Sequence, residues 1–493
     1  MTALFSRRSP STGLLPFALA SLAFSSCRVG PDYVEPDLQL PDAWQVDLQG
    51  EAEEEAAGAE AYWTSFEDPV LQELIDRSSR GSLDLQVAVA RLREAAAIRG
   101  ISTSEWWPQV VGEGSYAITS PSENAQLFIP PGVDLDQNIS TVGASAFWEI
   151  DVWGRIARSV ESADAGLQAT LESYRDVLVI LHAEVAATYF EIRTLQYRLD
   201  FARGNSDAQE GTLGLTRTRF DTGISGELDL RQAELNLATT NSAIPALEAA
   251  IAQQRNRLAV LLGEYPGAVN ELLAEVQPLP EMPSALNIGL PADLIRQRPD
   301  VRRAERELAA QTALIGVATG DLYPTFSLFG DLRLESLSSG DLFESDSISY
   351  GFGPQFSWNL FNAGRVRSQI EVEDARTEQA LLGYERTVLL AIEEVESTMV
   401  ALVRERERRD FLGQAVEAAL RSVELVETQY KTGLTNFQNV LDTQRSLFQQ
   451  QDALAESEGE IVRLHVFLFR ALGGGWRSSA QPPAEGETEP QRT

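Results

Sequence analysis

Phe220-Asp221-Thr222-Gly223-Ile224-Ser225 and Tyr430-Lys431-Thr432-Gly433-Leu434-Thr435 lie 210 positions apart, and the match between them continues far on both sides. At the same offset Trp148, Gly154 and Arg155 meet Trp358, Gly364 and Arg365, while Leu237, Leu262 and Gly263 meet Leu447, Leu472 and Gly473. Between these anchors Glu161, Asp164, Tyr174, Glu184, Val185, Thr188 and Phe201 also recur as the same residue types. The chain is therefore a tandem duplication, one architecture written twice.

No proline falls between Pro131 and Pro245 or between Pro354 and Pro482, so long helices are permitted there. Gly154 to Phe220 is rich in Ala, Leu, Glu and Arg, and a continuous helix over it would be roughly 100 Å long. Gly223 and Gly433 should end the two long helices, because the cap requires a left-handed backbone that glycine accepts. A new helix is predicted at once, with Ser225 and Thr435 as N-caps and Thr435 with Gln438 as a capping box. Each half thus holds a helical hairpin, with its tip at 220–226 or 430–436.

Outside the hairpins the period changes. Phe326, Leu328, Gly330, Leu332 and Leu334 alternate with Thr325, Ser327, Phe329, Asp331 and Arg333, and a similar alternation ends at Trp358. Period two predicts strands at about 325–334 and 349–358, with weaker counterparts at about 109–118 and 138–148. Strands of this length suit an outer membrane, with Trp106, Trp107, Trp148, Trp153 and Trp358 near their ends. Four strands cannot close a barrel, and an open edge in lipid is very costly, so several chains should contribute to one barrel. Before each strand pair lies a helical pattern, after Gly81 and from Pro299, with Asp84 matching Asp300 and Pro108 matching Pro324 at an offset of 216. The change of offset puts six extra residues in the first strand-to-strand loop, where insertion is cheap.

The first residues read as an export signal over 1–26: Arg7 and Arg8, an apolar run from Leu14 to Phe24 too short to span a bilayer, then Ser25 and Ser26. Cys27, the only cysteine, follows directly and is read as a lipidation site. Residues 27–63 carry Pro31, Pro36 and Pro41 and an acidic run from Glu51 to Glu60, and read as an extended tether. The repeats are assigned to 64–273 and 274–475, and the Pro- and Glu-containing tail at 476–493 is expected to be disordered. With 40 basic and 73 acidic residues the formal charge is −33, which argues against a nucleic-acid partner. Lys431 is the only lysine, so nearly all positive charge is arginine.

Catalysis and metal binding find no support in the sequence. His182 and His465, the only histidines, sit far apart in helical patterns, no phosphate-cradling glycine loop occurs, and the many carboxylates lie on helical faces. The expectation is no enzyme, no metal, and no cofactor beyond a covalent lipid on Cys27.

Specific marks resemble the TolC family of outer-membrane exit ducts, and most closely its lipoprotein branch, the OprM and NodT type paired with resistance-nodulation-division pumps. They are Cys27-Arg28-Val29-Gly30-Pro31-Asp32-Tyr33 with Pro36, the Trp63, Phe66, Asp68-Pro69 group, Gly289-Leu290-Pro291, Arg298-Pro299-Asp300-Val301, and Gly316-Val317-Ala318 before Tyr323-Pro324. The resemblance implies a mostly α protein with membrane β-structure: a homotrimer whose chains each give four strands to a twelve-stranded β-barrel above a long α-helical periplasmic barrel. It implies outer-membrane delivery, passive conduction of drugs or other small molecules, and hairpin tips that meet a periplasmic adaptor joined to an inner-membrane pump.

By position the adaptor-contacting residues would be Thr222, Gly223, Ile224, Thr432, Gly433 and Leu434. The periplasmic aperture would be lined by Asp229, Tyr430, Asn439 and Asp442, where three copies of an acid favour cations. Acids also suit a helix N-terminus, a second explanation for Asp229 in the first turn after Ser225. Two alternatives share many of these features: a duct serving type I protein secretion, and a structural coiled-coil lipoprotein without a conduit.

Overall fold

A computed structural model of the chain describes residues 28–38, 40–41, 43–45, 63, 66–120, 122, 137–280, 282 and 295–474. The export signal, Cys27, the acidic run, Gly289-Leu290-Pro291 and the tail lie outside the described residues. In order the elements are α1 (Pro69–Gly81), α2 (Leu83–Ser104), β1 (Gln109–Thr119), β2 (Gln137–Ile150), α3 (Arg155–Asp221), α4 (Glu227–Leu261), α5 (Pro299–Gly320), β3 (Thr325–Ser336), β4 (Ile348–Ser357), α6 (Arg365–Lys431) and α7 (Phe437–Ala471).

The repeat arithmetic reappears in the elements. Helices α3 and α6 are both 67 residues long and start 210 positions apart, and α4 and α7 are both 35 residues long at the same offset. Helices α2 and α5, each of 22 residues, start 216 positions apart. Pro245 lies inside α4 without ending it. Strands β1, β2 and β3 extend past the predicted ends, whereas β4 stops at Ser357, one residue before Trp358.

The chain forms two compact units, and the sheet belongs to the first, made of residues up to Pro36, Arg93–Ala169 and Glu305–Gly383. Its four antiparallel strands run in the order β1-β2-β3-β4. The register sorts their side chains by polarity: Ile150, Phe326 and Phe356 lie abreast, as do Ala144, Leu332 and Tyr350, and then Val142, Leu334 and Ile348. The opposite face carries Glu113, Ser145, Asp331, Arg333 and Ser349. A one-residue slip would mix the two sets, so the observed register is the one that keeps a single apolar face.

Indole donors fix the junctions where strands meet helices. Trp148 Nε1 donates to the Trp106 carbonyl at 2.9 Å and its repeat twin Trp358 donates to the Leu322 carbonyl at 3.1 Å. Trp153 donates to Pro324 at 2.8 Å and stacks on Tyr323. Residues just after Cys27 are pinned here: the Val29 N–H donates to Trp153 O at 3.0 Å, and the buried Arg158 donates to Val29 O, Gly30 O and Asp32. Gly30, at φ +86°, presses against Gly316, where a Cβ would come within 2.4 Å of the Gly316 Cα. That close approach is the physical content of the paired Val29-Gly30 and Gly316-Val317 motifs.

The second unit comprises Asp37–Leu92, Thr170–Ala304 and the chain from Tyr384. Asp68 caps α1 by accepting from the Val70 and Leu71 N–H groups, and Tyr189 Oη donates to the same carboxylate at 2.5 Å. Leu71 and Leu74 of α1 enter a core with Trp63, Phe66, Phe190 and Phe469. Both histidines are buried in this unit. His182 Nε2 lies 2.8 Å from Ser79 Oγ. Burial pushes His465 down to about 4, and its Nδ1 lies 2.8 Å from the Ile461 carbonyl. Its neutral ring is a packing element at physiological pH.

Candidate functional site

The two hairpin tips end their long helices in the same way. Gly223 and Gly433 have φ +78° and +75°. The Ile224 N–H donates to Arg219 O and the Gly223 N–H to Phe220 O, a pattern repeated by Leu434 to Gln429 and Gly433 to Tyr430. This is the Schellman arrangement, and it satisfies carbonyls that the helix end would otherwise leave open. Thr222 and Thr432 turn their hydroxyls back to donate to carbonyls of their own last turns. Ile224 and Leu434 are left 66% and 80% exposed at the two tips.

The caps of the following helices differ from the sequence expectation. Ser225 does not cap α4, since its own N–H is still bonded back to Arg219 O at 3.2 Å and its hydroxyl is buried without a partner. The N-cap is Gly226, without a side-chain bond. In the second half Asn436 is the N-cap, accepting from the Asn439 N–H at 3.2 Å, so Thr435 and Gln438 form no capping box. Both shifts have one cause. The Schellman turn holds the chain through Ile224 or Leu434, and the next helix needs a further residue before it can start.

The four aperture candidates occupy different surroundings. Tyr430 is only 4% exposed, packed 5.3 Å from the Phe437 ring within a cluster that includes Val426, Val440, Leu441 and Ala233. The Arg219 guanidinium lies 4.6 Å over the Tyr430 ring and donates to the Tyr430 carbonyl at 3.0 Å, which brings the two tips together. Tyr430 Oη and Arg219 Nε are both buried without hydrogen-bond partners. Asn439 and Asp442 share an exposed face of α7, where Asn439 Nδ2 donates to Thr435 Oγ1 at 2.8 Å and Asp442 accepts from Gln438 at 2.9 Å. Asp229 is half-buried in the first turn of α4 and forms no ion pair among the described residues.

Sequence reasoning missed Arg219 and a polar seam behind the tips. Buried Gln444 donates to Thr212 at 2.9 Å and to Glu427 at 3.2 Å, and Arg445 donates to buried Asn236 at 2.9 Å. Arg219 had one available signal: its twin is Gln429, a break in an otherwise similar tip. Among the described residues no group of His, Cys, Asp and Glu is arranged to hold a metal, and no helix is long and apolar enough to cross a membrane.

Comparison with known proteins agrees with this geometry. The family model described as outer membrane efflux protein matches residues 74–264 and 290–474. Nodulation protein T of Rhizobium leguminosarum bv. trifolii is 31% identical over 465 residues, covering 94% of this chain and 97% of that protein. The solvent efflux pump outer membrane protein SrpC of Pseudomonas putida is 30% identical over 469 residues, covering 93% and 98%. The solved structure of the outer-membrane channel OprN superposes with a TM-score of 0.83 at 35% identity, over 91% of this chain and all of that one. With two matched segments that together span most of the sequence, the chain belongs to the outer membrane efflux protein family.

Proposed function

We propose that this protein is the exit duct of a tripartite efflux system, a homotrimer that passively conducts small molecules from a periplasmic adaptor and an inner-membrane resistance-nodulation-division pump to the cell exterior. The observation that carries the proposal is the sheet. Its four strands present one apolar, solvent-facing side, and β1 and β4 each have an edge unpaired among the described residues. Such a sheet is stable in lipid only when other copies pair with those edges. A second feature supports the same assembly. Val179 and Phe190 of α3 are buried, whereas their repeat twins Leu389 and Val400 of α6 are exposed, as expected of a face covered by another copy.

In this reading Cys27 carries the lipid anchor, and the pinning of residues 28–32 at the strand-to-helix junction supports a lipid placed beside the membrane sheet. Thr222, Gly223, Ile224, Thr432, Gly433 and Leu434 meet the adaptor. Energy comes from the pump, and the duct performs no catalysis. The test is a photo-crosslinker at position 224 or 434 in living cells, followed by mass spectrometry. Capture of a periplasmic adaptor at both positions is expected. Capture of the protein's own neighbouring chains alone, while control sites crosslink well, would leave a channel that works without an adaptor.

Asp229, Asn439 and Asp442 are proposed to line the periplasmic aperture, with Tyr430 supporting it from within the hairpin packing. The Asp229 and Asp442 carboxylates in three copies would form rings that favour cations. Asp229→Ala combined with Asp442→Ala should lower cation over anion permeability in single-channel recordings severalfold. Unchanged selectivity in channels of normal conductance would remove both residues from the aperture.

A further inference from the structure

At the tips the repeat keeps the turn and inverts the charge. Thr222-Gly223-Ile224 and Thr432-Gly433-Leu434 have the same backbone bonds behind them, but the preceding residue is Asp221 in the first half and Lys431, the chain's only lysine, in the second. Both side chains are exposed, and among the described residues neither makes an ion pair. Arg219 holds the two helix ends together through the Tyr430 carbonyl, so an acid and a base stand on adjoining tips, each within three residues of an exposed aliphatic side chain.

Helix physics accounts for only one of the two. The C-terminal end of a helix carries partial negative charge, which suits Lys431 and opposes Asp221. Each long helix already carries a basic residue in its last turn, Arg219 in the first half and Lys431 in the second. Asp221 thus gains nothing from the dipole of its own helix and stands exposed beside a tip that carries the opposite charge.

We infer that Asp221 and Lys431 are paired specificity determinants for the periplasmic partner, whose contacting turn carries an apolar residue flanked by one basic and one acidic side chain. The basic group meets Asp221 at the first tip and the acidic group meets Lys431 at the second. This inference rests on the docking role proposed for the tips. Around a mouth built from three copies the sign alternates from tip to tip, so a partner presenting one charge throughout would be attracted at half the tips and repelled at the rest. Charges at the rim of an interface act mainly on encounter rate and on the rejection of wrong partners, and salt screens them.

The experiment uses the full-length protein in intact envelopes. A zero-length carbodiimide should join Lys431 to an Asp or Glu of a separate periplasmic protein, the same one captured from positions 224 and 434, identified by sequencing the crosslinked peptide. Asp221→Lys and Lys431→Asp should each lower photo-crosslinking from position 224 or 434 to that same protein, by about threefold or more at moderate salt. The double exchange should recover most of it, because the alternation is restored with the ring turned by one tip. Heat-modifiable complexes in normal amount provide the folding control for each variant. Joining of Lys431 to a carboxylate of this same chain would overturn the inference and make the pair a ring-closing contact between copies. Unchanged capture in both single variants, with positions 224 and 434 still capturing the partner, would overturn the charge pairing and leave the docking role standing. Loss of capture from 224 and 434 in the wild type would remove the docking role itself.

Discussion

Leu332→Arg should abolish heat-modifiable complexes in the outer membrane, whereas Arg333→Gln, one residue along the same strand, should leave them near wild-type amounts. Leu332 is 59% exposed and lies abreast of Ala144 on β2 and Tyr350 on β4, in the middle of the apolar face. An arginine there would stand in hydrocarbon, at a cost of about 2–4 kcal/mol near the bilayer midplane. That corresponds to roughly thirty- to a thousandfold per copy, and the proposed homotrimer would incur it three times. Arg333 points to the polar face and pairs with Asp331 at 3.0 Å, with a side chain nearly half exposed. Losing such a pair costs about 0–1 kcal/mol. The measurement is gel mobility of unheated and heated envelopes, with total protein quantified alongside. Normal complexes from Leu332→Arg together with their loss in Arg333→Gln would mean that the lipid-facing side has been assigned the wrong way round.

The parts of this architecture that repeat were legible because they are written twice. Gly223 and Gly433 mark their helix ends at one offset, and a turn that recurs in register is hard to mistake for chance. The same arithmetic places the ends of α2 and α5, as well as those of α3 and α6. Where the halves diverge, the sequence carries less. Arg219 and Tyr430 meet across 211 positions, and nothing local to either residue announces the contact. Tyr430 was therefore expected at the aperture on family position alone, while the structure shows its ring sandwiched between Arg219 and the Phe437 cluster. The N-caps failed for a different reason. Ser225 and Thr435 are good capping residue types, but the backbone at Ser225 is still held by the preceding helix. The sheet's polarity was readable from period two. Its register depends on which strands pair, and only the β2 to β3 pairing joins the two halves into one sheet.

Arg298→Ala should destabilise the second unit by about 3–5 kcal/mol at neutral pH, the usual cost of removing one partner from a buried, hydrogen-bonded ion group. Arg298 is 7% exposed and bidentate to Asp300 at 3.0 and 2.9 Å. It also donates to Glu394 at 2.9 Å and to the Ala471 carbonyl that ends α7. Arg470 shares Glu394 at 2.6 Å, so one guanidinium gathers the start of α5, the middle of α6 and the end of α7. Burial alone would raise the Asp300 carboxyl, but the hydrogen bonds and charge of Arg298, with the Val301 N–H and Arg303, hold it below the ordinary carboxylate value. A depressed carboxyl contributes stability that is present above its unfolded value near 3.8 and is lost as pH falls through the lower folded value. The gap between wild type and Arg298→Ala should accordingly narrow in acid. Asp176 behaves in the opposite sense: burial first, then the charge of Asp300, raises it despite Arg303 and Arg298. Removing Arg298 would raise it further, so Asp176→Asn should recover part of the loss in the Arg298→Ala background and little in the wild type. Denaturant unfolding of the detergent-extracted protein at pH 7 and at about pH 2.5, below the unfolded carboxyl value, measures both effects. A gap between wild type and variant that stays constant across that range would mean that Arg298 acts through packing and its bond to Ala471, and not through the carboxylates it gathers.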